Sequence, residues 1–125
     1  MNAHRKLDAW KACRVLAREI YRATARFPAS ERFGLTSQLR RAAVSAAANI
    51  AEGYARFGAR ETAHGVSIAL GSLAEIDTLF AIAVDLGYLS GASLSDLEAL
   101  RVRASQVTFG LQRKLRRQVG TPVPR

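Results

Sequence analysis

The spacing of apolar residues limits most strongly what this chain can fold into. Four segments repeat them every three or four positions, and none alternates them in the two-residue manner of a strand. In the first segment Leu7, Trp10, Ala17, Ile20, Thr24 and Phe27 form one stripe that Pro28 stops, which predicts a helix over residues 4–26. Leu35, Leu39, Ala42, Ala43, Ala46, Ile50 and Gly53 mark the inner face of a second helix over 36–57. A third, over 60–86, turns Val66, Ala69, Leu70, Leu73, Ile76, Phe80 and Val84 inward and stops at Gly87; Gly65, Gly71 and Ser72 permit close helix approach. The fourth, over 93–117, opens on Ser93 with Asp96 three positions on, an acidic form of the capping box, and continues through Leu97, Leu100, Ala104, Val107, Leu111 and Leu115. Short breaker-rich joints such as FPASERFG make successive helices antiparallel. The expected architecture is therefore an all-α, up-down-up-down four-helix bundle over residues 1–118 with a flexible tail at 119–125. A chain of 125 residues holds one core of this kind.

The second helix is unusual on its outer face, where Val44, Ala47, Ala48, Ala51 and Ala55 stand in place of the charges of a solvated helix. A small monomer has few ways to cover one helix on every side, so these residues are expected to form the interface of a homo-oligomer. Beside the apolar stripe, Gln38, Arg41, Ser45, Asn49 and Glu52 fall within about a quarter of the helix circumference. An arginine so placed needs a carboxylate, from Glu52 or from Glu75 on helix three, and the group is expected to be a mostly buried structural network.

Lys and Arg total 19 against 10 Asp and Glu, a formal charge of +9 that favours polyanionic partners, RNA or DNA. Lys11, Arg14, Arg18, Arg22 and Arg26 make a positive ladder along helix one, and Arg113, Lys114, Arg116 and Arg117 crowd the end of helix four. Residues 61–90 carry Glu61, Glu75, Asp77 and Asp85 but no lysine or arginine. One or two cations would satisfy the helix macrodipole, and the run on helix four exceeds that need. These basic residues are expected to contact phosphates, with steep salt dependence and little sequence preference. Tyr21, Tyr54, Phe57 and Tyr88 are too scattered to make a stacking platform, and no RNP or helix-turn-helix motif is present. The alternative is a protein scaffold whose basic surface docks an acidic partner without touching nucleic acid.

Nothing points to catalysis, a metal or a cofactor. His4 and His64 stand alone, and Cys13, the single cysteine, has no partner for a disulfide or a CxxC site. With no expected membrane span and no apolar leader, the cytoplasm is the expected compartment.

The run FPASERFGLTSQLRRAAVSAAANIAEGYAR and the later IALGSLAEIDTLFAIAVDLGYL resemble the 23S ribosomal RNA intervening-sequence protein family, also called the four-helix bundle protein family. The most specific pieces are Gln38, Arg40, Arg41, Ala42 and Ser45, then Asn49, Ile50, Ala51, Glu52 and Gly53, then Gly71, Ser72 and Glu75. Ala46 and Ala47 depart from the family, which often has an Ile-Pro pair after the serine. The resemblance implies an antiparallel four-helix bundle assembled as a homopentamer. It also implies a relationship to accessory proteins of diversity-generating retroelements, which bind nucleic acid and a reverse transcriptase through a basic surface.

Overall fold

The computed structural model describes residues 3–120; residues 121–125 of the expected tail lie outside that range. Its α-helices are α1 (Asp8–Thr24), α2 (Leu35–Ala55), α3 (Ala59–Asp85) and α4 (Gly91–Val119), with short 3-10 turns at Ala3–Lys6 and Ala29–Glu31. Each helix packs on its neighbours in sequence, and α1 closes the ring against α4. This is the expected four-helix bundle. Leu16, Ile20, Leu39, Ile50, Val66, Leu73 and Ile76 fill its centre, each fully buried. Burying a side chain of this size stabilises by about 1.5–3 kcal/mol before entropy is counted.

The closest helix contact is between α2 and α3, where two glycines face each other. A Cβ on Gly53 would lie 2.8 Å from the Glu61 carbonyl oxygen and 3.1 Å from the Gly65 Cα. One on Gly65 would run into the Asn49 carbonyl oxygen and come within 3.0 Å of the Gly53 Cα. Farther along the same seam the Ser72 and Ser45 hydroxyls are 3.1 Å apart, and Asn49 Nδ2 donates to the Ser45 carbonyl (2.9 Å) and hydroxyl (3.0 Å). Gly71 plays no such part: it is exposed, and a Cβ there would meet nothing within 4 Å.

Several sequence expectations shift. The centre of the α1 stripe is Ala9, Cys13, Leu16, Ile20 and Thr24, with Leu7, Trp10 and Ala17 at its edge, because the first turn is a 3-10 turn that ends before α1 begins. Val84 is 40% exposed, and Ala83 takes its place in the core. The expected capping box does not form: α4 starts two residues before Ser93, its N-cap is Ser90, and that side chain makes no capping hydrogen bond. Contrary to the expectation of no membrane-length segment, α3 is long and apolar enough to cross a membrane by length and composition. In the bundle it buries Val66, Ala69, Leu73, Ile76 and Phe80.

At the end of the bundle that holds the C-terminus of α1, Glu31 Oε1 accepts from the Leu35 backbone N–H (3.0 Å), capping α2. Its other oxygen accepts from the Tyr88 hydroxyl (3.0 Å), tying together the α1–α2 and α3–α4 joints, and Phe27 packs on Tyr88 at 5.3 Å. Arg40 donates to the Thr24 hydroxyl (2.8 Å) and to the Tyr21 carbonyl (3.2 Å), which also accepts from the Ala25 backbone N–H, so it ties α2 to the last turn of α1.

Replacing Gly65 with alanine is expected to lower stability by roughly 1–3 kcal/mol, since backbone rather than a movable side chain stands in the way. Gly110→Ala in α4, where only the tip of Arg113 comes near (3.8 Å), is expected to raise it by roughly 0.5–1 kcal/mol. Urea denaturation followed by circular dichroism measures both.

Candidate nucleic-acid interface

The antiparallel ring brings the start of α1, the end of α2, the start of α3 and the end of α4 to one end of the bundle. His4, in the 3-10 turn that leads into α1, lines a single cavity of about 430 Å³ there with Tyr54, Ala59 and Leu115 from the other three places. The same end carries Arg5, Lys6, Lys11, Arg56, Arg60, Arg113, Lys114, Arg116 and Arg117, all exposed. Acidic residues are few at this end: Asp8, Glu52 and Glu61. Glu52 approaches Arg56 at 3.9 Å, and an ion pair that exposed neutralises little. The cations on the last turn of α4 also match the negative end of its macrodipole.

The expected helix-one ladder divides in two. Lys11, Arg14 and Arg18 line a groove of about 390 Å³ with Arg5 and Trp10. Within it the Arg5 and Arg14 guanidiniums each lie 5.4 Å from the Trp10 ring centroid, which holds both cations in place. Arg22 and Arg26 lie toward the opposite end, in a cleft that also contains Glu19 and Asp96. Glu19 accepts from Arg18 (2.9 Å) and Arg22 (2.8 Å), and the Arg18 bond holds its carboxyl below the usual carboxylate range. Lys11 and Arg22 are separated by about 16 Å along α1, about two Debye lengths at physiological salt, and Arg26 lies beyond the end of the helix. Charge is therefore concentrated near the start of α1. The sequence reading missed Arg5, Lys6, Arg56 and Arg60; sorting charges by the end of an antiparallel bundle on which they fall would have found them.

The expected buried network is only partly assembled within one chain. Ser45 and Asn49 are hydrogen-bonded and half-buried, and Ser72 joins them. Gln38, Arg41, Glu52 and Glu75 are exposed, and Arg41 pairs with neither carboxylate. The inward arginine is its neighbour Arg40, turned about 100° round the helix and supplied with hydroxyl and carbonyl oxygens in place of a carboxylate. A second internal arginine, Arg101, was also missed; it bonds Glu98 through two nitrogens (3.0 Å each) and reaches Asp77 at 3.5 Å, fastening α4 to α3.

Of the residues expected at an oligomer interface, Val44 (46% exposed), Ala48 and Ala55 face outward, while Ala47 and Ala51 are half-buried. Ala47 packs against the chain's own core. Ile68 and Ile82 on the outside of α3 are also exposed, so apolar surface extends over both helices.

Among the described residues no group of three or more His, Cys, Asp or Glu is placed to hold a metal ion. Cys13 is buried against Thr108, its Sγ 3.9 Å from the hydroxyl.

Fold and charge together define a small basic four-helix bundle with its cations drawn to one end. The chain belongs to the 23S rRNA-intervening sequence protein family, whose model matches residues 5–112. Compared with curated proteins, the chain finds no match.

Burial pushes the Cys13 thiol up to about 11, the Thr108 contact opposing it only in part. The folded state thus favours the neutral thiol, and an unfolded chain ionises it near 9.0. Stability from this source is fully present below that pH and is lost as pH rises toward about 11. Compared with Cys13→Ala, the wild-type protein is expected to lose up to about 2–3 kcal/mol more over that interval, read from urea midpoints.

Proposed function

We propose that this protein binds RNA or DNA through phosphate contacts at the cationic end of the bundle, as a homo-oligomer that serves a nucleoprotein assembly. The observation that carries the reading is the segregation of charge. Arg5, Lys6, Lys11, Arg14, Arg56, Arg60 and the cluster Arg113, Lys114, Arg116 and Arg117 share one region, while residues 61–90 contain no cation. Carboxylates answer few of these charges, so counter-ions must, and releasing counter-ions is what drives phosphate binding. Arg18, Arg22 and Arg26 contribute less, since Glu19 and Asp96 lie beside them.

Self-association follows from the other side of the same segregation. Val44 and Ala48 on α2, with Ile68 and Ile82 on α3, expose apolar side chains interrupted by Arg41, Glu52 and Glu75, a surface that a second copy would cover. Copies multiply weak phosphate contacts into avidity. A nucleic-acid enzyme such as a reverse transcriptase is a partner consistent with this arrangement, the nucleic acid bridging the two.

Binding of labelled RNA and of single- and double-stranded DNA, measured across salt concentrations, tests the reading. A log-log plot is expected to be linear and steep. Replacing Arg113, Lys114, Arg116 and Arg117 with glutamine should flatten it by about 0.7–0.9 for every phosphate that the variant no longer neutralises. Equal binding by that variant would remove α4 from the interface. An oligomer that ignores every probe near physiological salt would favour the protein scaffold instead.

A further inference from the structure

Phe57 occupies the turn between α2 and α3 with φ of 59°, the one non-glycine residue with positive φ among the described residues. An aromatic residue gains nothing locally from this left-handed conformation, which glycine would adopt freely. Nor does Phe57 gain from packing, for it is 86% exposed. Three other rings have a cation over them: Trp10 has Arg5 and Arg14, Tyr21 has Arg40 at 4.6 Å, and Phe33 has Arg32 at 5.1 Å; Tyr54 and Phe109 do not, but both lie within helices and are far less exposed than Phe57. Among the described residues no cation or aromatic ring stacks on Phe57.

Its surroundings are specific. Phe57 stands at the mouth of the cavity of about 430 Å³ lined by His4, Tyr54, Leu115 and Gln118, which offers apolar walls with a few polar groups. Arg56 precedes it, Arg60 follows within one turn, and Arg116 and Arg117 lie between cavity residues Leu115 and Gln118. A free aromatic face beside an apolar recess, at the end of the bundle that carries these exposed arginines, matches a nucleotide: a base to stack and a phosphate to neutralise.

We infer that this end of the bundle takes an unpaired nucleobase, stacked on Phe57 at the cavity mouth, so that single-stranded nucleic acid is preferred over duplex. The inference rests on the proposed phosphate binding and adds to it a contact with the base. A duplex keeps its base faces stacked on one another and cannot offer one to Phe57 without unpairing. Every base has a π-face, so the contact distinguishes single from double strand without reading sequence, and RNA and DNA share the chemistry.

The test compares labelled oligo(U), oligo(dT) and a duplex of oligo(dA) with oligo(dT), using wild type, Phe57→Gly and Phe57→Trp. Glycine suits the φ of 59°, so Phe57→Gly should fold at least as well as wild type, and a loss of binding is not a loss of fold. Phe57→Gly is expected to weaken binding to both single strands by about 5- to 100-fold, leaving the salt slope and duplex affinity unchanged, while Phe57→Trp retains binding. Agreement between the oligo(U) and oligo(dT) arms supports the base as the shared feature; an effect on oligo(U) alone would overturn that in favour of a ribose contact. Three results overturn the base contact while leaving phosphate binding in place: unchanged single-strand affinity in Phe57→Gly, an equal loss on duplex, or a fall in oligomer mass by light scattering, which would assign Phe57 to a contact between copies. Failure of the wild-type protein to bind any probe would overturn both readings together.

Discussion

The close approach of α2 and α3 at Gly53 and Gly65 governs the rest of the structure. With no side chain on either residue the backbones come nearly into contact, so the two helices have a fixed crossing point rather than a sliding apolar seam. The bonds among Ser45, Asn49 and Ser72 lie along the same line and fix the register that the glycines allow. From that point the short joint at residues 56–58 is committed to a tight reversal, with Phe57 and Gly58 both at positive φ. The α2–α3 pair is thus a rigid half of the bundle on which α1 and α4 close.

That rigid half also explains where charge falls. Its α3 side has an outer surface of Ile68, Gly71, Ala74 and Ile82 among few charges, and its α2 side presents Val44 and Ala48. Apart from Arg40 and Arg41 on α2 and Arg60 at the start of α3, the cations fall on α1, on α4 and on the joints, and the antiparallel connection gathers most of them at one end. At the other end, Arg22, Arg26 and Arg32 share space with Glu19, Glu31, Asp96 and Glu98, so the field there is mixed. The asymmetry between ends, more than the net charge of +9, is what gives a polyanion a preferred place to bind.

Much of the fold was legible because helical period reports which face is buried. Leu39, Ala42, Ala43, Ala46 and Ile50 are all buried as their spacing requires. Period does not report which neighbour a flanking residue meets. Arg41 and Arg40 differ by one position, and the rotation between them decides that Arg40 reaches the end of α1 while Arg41 stays in solvent. The capping box at Ser93 and Asp96 was a local pattern overridden by a helix that begins earlier, at Gly91. Nor does composition reveal a backbone conformation. Phe57 read as one scattered aromatic until its positive φ and exposure set it beside the cavity and the arginines.

The most direct measurement of the central claim is photo-crosslinking of thiouridine-labelled RNA to the purified protein, with the attached peptides identified by mass spectrometry. If the cationic end is the interface, crosslinks should fall on the α2–α3 joint around residues 54–60, the start of α1 and the last turns of α4. Crosslinks centred instead on the outer surface of Val44, Ala48, Ile68 and Ile82, or on the opposite end near Arg26 and Arg32, would contradict the account.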